Sequence, residues 1–270
     1  YDPAQVPMPK LLPGELERKP PLQILFRNER RGNFLEDENL LRHIRSAYYG
    51  MITQLDAHLG RLFAELDRLG MRERTLIVFT SDHGEYLGDH YMIEKELFYE
   101  QAIHVPLILS LPGVIPEGRT EDRFVESVDL LPTLLELAGL PRPRGLDGRS
   151  LAPLLDGTAE RWRDAVFAEW DFEYYHSRKR LGLSPEQCRA IMIRTCRWKY
   201  IHYSDLPCEL YDLERDPDEF CNLADRPEYR EVRLQLMERV LNWRMRTEDA
   251  LPEEDLTFAS YLRDPWKSEA

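Results

Sequence analysis

An aspartate and a histidine, Asp82 and His83, stand side by side just past the run Thr75-Leu76-Ile77-Val78-Phe79-Thr80. That run is continuously apolar and rich in β-branched residues, as expected of a central strand buried on both faces of a parallel sheet. In open α/β sheets ligands bind beyond the carboxyl ends of the strands. A carboxylate and an imidazole at such an end make a pair of metal ligands. One oxygen and one nitrogen donor suit a divalent ion, with Mn²⁺ or Ca²⁺ foremost and Zn²⁺ as the alternative. Gly84 follows, where the lack of a Cβ lets the backbone turn sharply away from the ion. Lys95 lies on the loop beyond, after Gly88-Asp89-His90 and Glu94. An ammonium beside a metal can hold an anionic oxygen and neutralise charge developing on a leaving group. The plainer readings are that Asp82 and His83 cap a loop, and that Lys95 is a solvated surface lysine. Asp89 and His90 fit equally a shell that orients a ligand and a solvated loop.

The elements that must position these residues are visible as changes of period. Ile44, Tyr48, Met51, Ile52, Leu55, Leu59, Leu62, Phe63, Leu66 and Leu69 recur at helical spacing, and Gly70 closes that helix. Tyr48 and Tyr49 read as core and edge residues of it. A second buried strand is expected over residues 105–111, with Pro106 fixing the exit of the loop, and Tyr99 reads as packing beside it. Asp129 opens a short helix over Leu130–Ala138 that tolerates Pro132 in its first turn. Beyond Pro153 comes another strand around residues 165–170, and then short strands around 191–194, 198–203 and 209–213, whose alternation fits an antiparallel meander. Tyr229–Thr247 returns to helical spacing and should pack on the meander. Tyr174, Tyr175 and His176 follow the strand that ends at Trp170, a place where substrate selectivity can sit.

These segments predict an α/β chain: a mostly parallel sheet flanked by helices, then a small antiparallel sheet with a C-terminal helix. The expected divisions are an extended arm or linker over 1–35, the α/β region over 36–185, the small sheet and helix over 186–248, and an acidic tail over 249–270. Hydrophobic residues make up 43% and charged residues 31% of the 270-residue chain, a soluble globular composition. The formal net charge of -13 argues against nucleic acid as a partner, because phosphate binding needs a basic surface. No apolar run is long enough to span a bilayer, so no membrane partner is expected. The four cysteines, Cys188, Cys196, Cys208 and Cys221, form no C-x-x-C pair and read as ordinary thiols rather than a zinc site. The compartment stays open, leaning to the cytoplasm, since any signal peptide would lie upstream of Tyr1.

Several long blocks, in order, carry a more specific message. Thr80-Ser81-Asp82-His83-Gly84-Glu85-Tyr86-Leu87-Gly88-Asp89-His90, then Glu94-Lys95-Glu96-Leu97-Phe98-Tyr99-Glu100, then residues 104–109 resemble the second half of the sulfatase and phosphonate monoester hydrolase family. So do residues 127–139, Asp147-Gly148-Arg149-Ser150-Leu151, and the closing segments 198–201 and 209–217. The resemblance implies an alkaline-phosphatase-like fold and metal-dependent hydrolysis of a small-molecule sulfate, phosphonate or phosphate ester. It implies Asp82 and His83 as metal ligands and Lys95 as the catalytic contact to the sulfate or phosphonate oxygens. Three departures stand out. His104 replaces a more usual Arg and is assigned no role. Glu94 replaces the usual Gly before the lysine. The family's nucleophile, a formylglycine made from Cys or Ser in C/S-x-P-x-R, has no counterpart here. The chain therefore reads as a piece whose nucleophile lies in an N-terminal half, and as inactive alone. Within the superfamily a phosphatase or phosphodiesterase using Thr or Ser is the alternative. Outside it the alternative is a non-catalytic oligomerisation or partner-binding module. Homo-oligomers through the long helix and the C-terminal arm are expected.

Overall fold

The computed structural model describes residues 1–29 and 37–247. The expected acidic tail, 249–270, lies outside the described residues. Two sheets organise the rest. The first pairs β1 (Ile77–Thr80) with β2 (Leu107–Ser110). The second has four strands in sequence order, β3 (Ala165–Asp171), β4 (Arg189–Thr195), β5 (Trp198–Tyr203) and β6 (Glu209–Asp212), all antiparallel. The helices are α1 (Pro21–Glu29), α2 (Glu38–Arg68), α3 (Glu100–Ile103), α4 (Leu130–Leu137), α5 (Ala152–Leu155), α6 (His176–Leu181) and α7 (Arg230–Thr247).

The α/β class, the small antiparallel sheet and its C-terminal helix match the sequence reading. Three details differ. β1 and β2, read as parallel strands buried on both faces, pair antiparallel with Ile77 opposite Ser110 and Thr80 opposite Leu107. A parallel neighbour needs a long crossover, usually a full helix. The 81–106 connection offers only the four-residue α3, so the chain doubles back. The two strands are half-buried, and Ile108 is 60% exposed. Second, the expected extended arm contains a helix. α1 sends Leu22 and Phe26 into the main core, where Phe26 meets Trp170 and Tyr175 at 5.0 Å each. Third, β3 belongs to the small sheet, which therefore begins before residue 186.

α2 starts where the Asp37 carboxylate accepts the Leu40 N–H, and ends at Gly70 with φ +62. Its apolar stripe is uncovered: Met51, Ile52, Leu55 and Leu62 are all at least 50% exposed.

The small sheet is covered on both faces. Side chains alternate along its strands, so Ile193, Tyr200 and Leu210 pack under Leu236 and Val240 of α7. Met192, Ile201, Tyr203 and Tyr211 face the other way, against Phe98, Tyr99, Leu22 and Phe26. That second face also holds charge. The Lys199 side chain, wholly buried, reaches the Phe98 carbonyl at 2.9 Å, Glu100 at 2.8 Å and Glu219 at 2.6 Å. Nearby, Gln23 donates to Glu209 at 2.8 Å, and the Tyr203 and Tyr211 hydroxyls donate to the same carboxylate.

The quoted blocks 127–139 and 147–151 prove to be one interlocked unit. Asp129, fully buried, takes a two-pronged contact from Arg163 at 2.5 and 2.7 Å and the Arg149 N–H at 2.7 Å. Thr133 accepts the Leu151 N–H at 2.8 Å. A Cβ on Gly148 would run into the Val128 carbonyl, so only glycine lets the segments meet.

The arm is fastened by Glu15. Its carboxylate binds Lys19 at 2.8 Å and accepts from Nδ1 of buried His90 at 2.8 Å, while His90 stacks on Tyr99 at 3.9 Å. Asp89 accepts the Lys10 N–H at 3.0 Å. Asp89 and His90 therefore anchor the arm. Burial opposes charge on Glu15, but the His90 hydrogen bond and the Lys19 ammonium outweigh it and hold the carboxyl at about 2, below its usual 4.5. Burial pushes the His90 imidazole down, which favours the neutral ring with its proton on Nδ1.

Two outcomes follow from these contacts. Asp129→Ala removes the two-pronged partner of the nearly buried Arg163 guanidinium and leaves it only Glu126 at 2.8 Å, so it should cost about 1–3 kcal/mol in urea unfolding. Because the folded-state carboxyl of Glu15 is depressed, its contribution is complete above about pH 4.5 and is lost as pH falls towards 2. Urea midpoints measured across that window should fall further in the wild type than in Glu15→Gln; parallel curves would remove this assignment.

Candidate functional site

The segment after β1 carries the sequence-nominated residues. Asp82 is open to solvent, with 82% of its side chain exposed, and His83 is 35% exposed. The His83 N–H donates to the Asp82 carboxylate at 3.0 Å. His83 Nδ1 lies 2.7 Å from the Gly84 carbonyl, which can only accept, so Nδ1 bears the proton. In the neutral ring Nε2 then presents its lone pair, and it lies 3.6 Å from Oδ2 of Asp82. Two donors sharing a cation through bonds of about 2.0–2.2 Å stand roughly this far apart. A histidine that spends its other N–H on a backbone carbonyl is also the usual arrangement for a metal-binding imidazole. The pair fits as two ligands of a divalent ion. Among the described residues no group of three or more His, Cys, Asp or Glu side chains is arranged to hold one.

The Asp82 carboxyl lies below its usual range. Desolvation is the largest single influence and opposes this, but the His83 N–H, the His83 ring and the Lys95 ammonium together outweigh it. Asp82, His83 and Lys95 line one open cleft together with Glu96, Tyr175 and Arg194. The three nominated residues thus border the same cleft, with Lys95 near enough for its charge to act on Asp82.

Gly84 earns its identity differently from the sequence reading. Its N–H donates to the Ala102 carbonyl at 2.8 Å, and a Cβ would strike the Gln101 carbonyl. Glycine here serves close approach of two backbones. Glu94, the residue that replaces the family's glycine, has φ +65, and Leu97 has φ +78. The left-handed backbone that favours glycine persists on both sides of Lys95 without one.

Several residues shape this loop that sequence reasoning did not single out. Glu85 accepts the Glu94 N–H at 2.8 Å, and buried Tyr86 donates its hydroxyl to the Glu96 carbonyl at 2.6 Å. Arg194 pairs with Glu100 at 3.3 Å. No pattern marks them, because each acts through backbone atoms or a neighbouring charge. Of the trio 174–176, Tyr175 lines the cleft and donates to Glu96 at 3.2 Å, whereas Tyr174 is 87% exposed and His176 opens α6. His104 lies on the cleft rim, 3.7 Å from Glu100.

Known proteins resemble this chain in sequence and in fold. The sulfatase family model matches residues 19–140, and the model of N-sulphoglucosamine sulphohydrolase, C-terminal, matches residues 88–246. The chain is 37% identical to the multifunctional alkaline phosphatase superfamily protein PehA of Trinickia caryophylli, over 93% of this chain and 51% of that protein. It is 36% identical to arylsulfatase K of Rattus norvegicus, over 72% of this chain and 34% of the relative. The phosphonate monoester hydrolase of Silicibacter pomeroyi superposes with a TM-score of 0.85 at 32% identity, over 93% of this chain and 52% of that one. The phosphonate monoester hydrolase of Agrobacterium radiobacter superposes with a TM-score of 0.74 at 41% identity, over 78% and 43%. The chain spans about half the length of PehA and of these two hydrolases. The chain belongs to the sulfatase family of the alkaline phosphatase superfamily.

Proposed function

We propose that the protein carrying this chain is a metal-dependent hydrolase of small sulfate or phosphonate esters, and that these residues supply one side of its active site. The observation that carries this reading is the meeting of a two-donor pair and an ammonium in one cleft at a strand end. Asp82 and His83 hold the divalent ion, with the Gly84 carbonyl keeping the imidazole lone pair on Nε2. A bound ion supplies Lewis-acid polarisation of the ester oxygen. Lys95 steadies the anionic oxygens of the transferred group, where charge builds during cleavage. The names of the relatives, a phosphonate monoester hydrolase and an arylsulfatase, support this substrate class. The description of PehA as multifunctional favours a range wider than one ester class.

The nucleophile, expected to be a formylglycine, and the remaining metal ligands come from sequence outside these residues. Support comes from the absence of a C/S-x-P-x-R motif in the 270 residues and from the half-length match to relatives. The uncovered stripe of α2 and the half-exposed β1–β2 pair fit the same reading.

The test compares the intact protein with the 270-residue chain, each with added Mn²⁺ or Ca²⁺, on aryl sulfate and aryl phosphonate monoester substrates. The intact protein should turn over at least one class, and the chain alone none. Lys95→Ala should lower kcat by about 100- to 1,000-fold, and Asp82→Ala should reduce bound metal measured by elemental analysis. Turnover by the isolated chain that Asp82→Ala abolishes would mean the nucleophile lies within these residues.

A further inference from the structure

The acidic residue that closes the Asp82–Glu85 motif spends its carboxylate on backbone amides. One oxygen of the Glu85 carboxylate accepts two backbone N–H groups, from Leu87 at 3.1 Å and from Glu94 at 2.8 Å. The next residue continues the attachment. The Tyr86 N–H donates to the Glu94 carbonyl at 3.2 Å, and its hydroxyl, in a side chain only 1% exposed, donates to the Glu96 carbonyl at 2.6 Å. Lys95 therefore sits between two residues that are each bound to the 85–86 segment. Single residues with positive φ stand on either side of Lys95, Glu94 at +65 and Leu97 at +78, and no glycine relaxes either. Such conformations persist only where surrounding contacts over-determine them.

From this geometry we infer that Glu85 and Tyr86 are positioning residues that fix Lys95 relative to Asp82 and His83. The inference rests on the role proposed above for Lys95. Glu85 is covalently continuous with the metal pair, so its hold on the Glu94 N–H converts the path from His83 to Lys95 into a closed ring of backbone. A lysine stem is long and flexible, and its ammonium can be placed only if its Cα is held. The carboxylate's task is acceptance of two N–H groups by a single oxygen, which an amide oxygen can perform equally well.

The experiment uses the intact protein with Mn²⁺ and whichever aryl phosphonate or aryl sulfate ester it hydrolyses. Glu85→Ala should lower kcat by about 10- to 100-fold with little change in KM, the scale expected of a misplaced catalytic group. Glu85→Gln, which keeps the acceptor oxygen, should recover most of that loss. The double variant Glu85→Ala, Lys95→Ala should be no slower than Lys95→Ala, because Glu85 acts through the lysine. If Glu85→Ala does not fold, by circular dichroism, Tyr86→Phe deletes only the hydroxyl contact and enters the same cycle. Losses that multiply in the double variant, or Glu85→Gln as slow as Glu85→Ala, would overturn the positioning role while leaving the Lys95 reading intact. A Lys95→Ala enzyme at full rate would overturn that earlier reading, and this inference with it.

Discussion

The architecture around the site depends on one buried ammonium. Lys199, on the third strand of the small sheet, ends against the Phe98 carbonyl and between Glu100 and Glu219. A charge taken out of water is tolerated only when it is paired and fully hydrogen-bonded, and here two carboxylates and a carbonyl converge on it. Burial still pushes the Glu219 carboxyl up to about 7, so the cluster is held together against a real desolvation cost. Glu219 repays part of this by accepting the Glu100 N–H at 2.8 Å. The result is that the loop carrying Lys95 is fastened to a sheet formed far away in sequence.

The loop is consequently held from three directions. Lys199 and Glu219 fix its far end at residues 98–100. His90 and Tyr99 tie its middle and its far end to the N-terminal arm through Glu15 and Gln23. Glu85 and Tyr86 bind it to the strand end that presents Asp82 and His83. Its aromatic side chains, Tyr86, Phe98 and Tyr99, are buried in the main core, while Lys95 alone among the residues of that stretch from 95 to 99 is exposed. Packing thus selects which side chain faces the cleft.

Much of this was legible in the sequence, for identifiable reasons. β5 and β3 announce themselves by runs of β-branched and aromatic residues, and α2 by its period and its Gly70 stop. Asp82, His83 and Lys95 were found because ionisable residues after an apolar run are conspicuous, and because the flanking blocks resemble a known family. What was not legible depends on pairing across distance. The direction of β2 relative to β1 follows from how little helix the connection contains. α1 hides in a Pro-rich arm with only Leu22 and Phe26 to mark its apolar side. Alternation puts Lys199 on the inward face with Ile201 and Tyr203, but its charge alone would send it to solvent, and Glu85 acts on amides up to nine residues away, which no side-chain pattern records.

The separation in sequence between these contacts has a consequence for how the chain acquires its shape. Contacts within the half-site are local: Glu85 to Glu94 spans nine residues. The bond from Lys199 to Phe98 spans 101. Local contacts close quickly, whereas distant ones wait on the slower ordering of the chain between them. During synthesis from the N-terminus, the loop can take up its turn-rich form as soon as residue 102 has emerged, but it has only the N-terminal arm to rest on until the small sheet follows about a hundred residues later. Through that interval Tyr86, Phe98 and Tyr99 lack the cover of the small sheet, so the aromatic residues that give the finished site its rigidity are also the surface by which a nascent chain can be captured or lost.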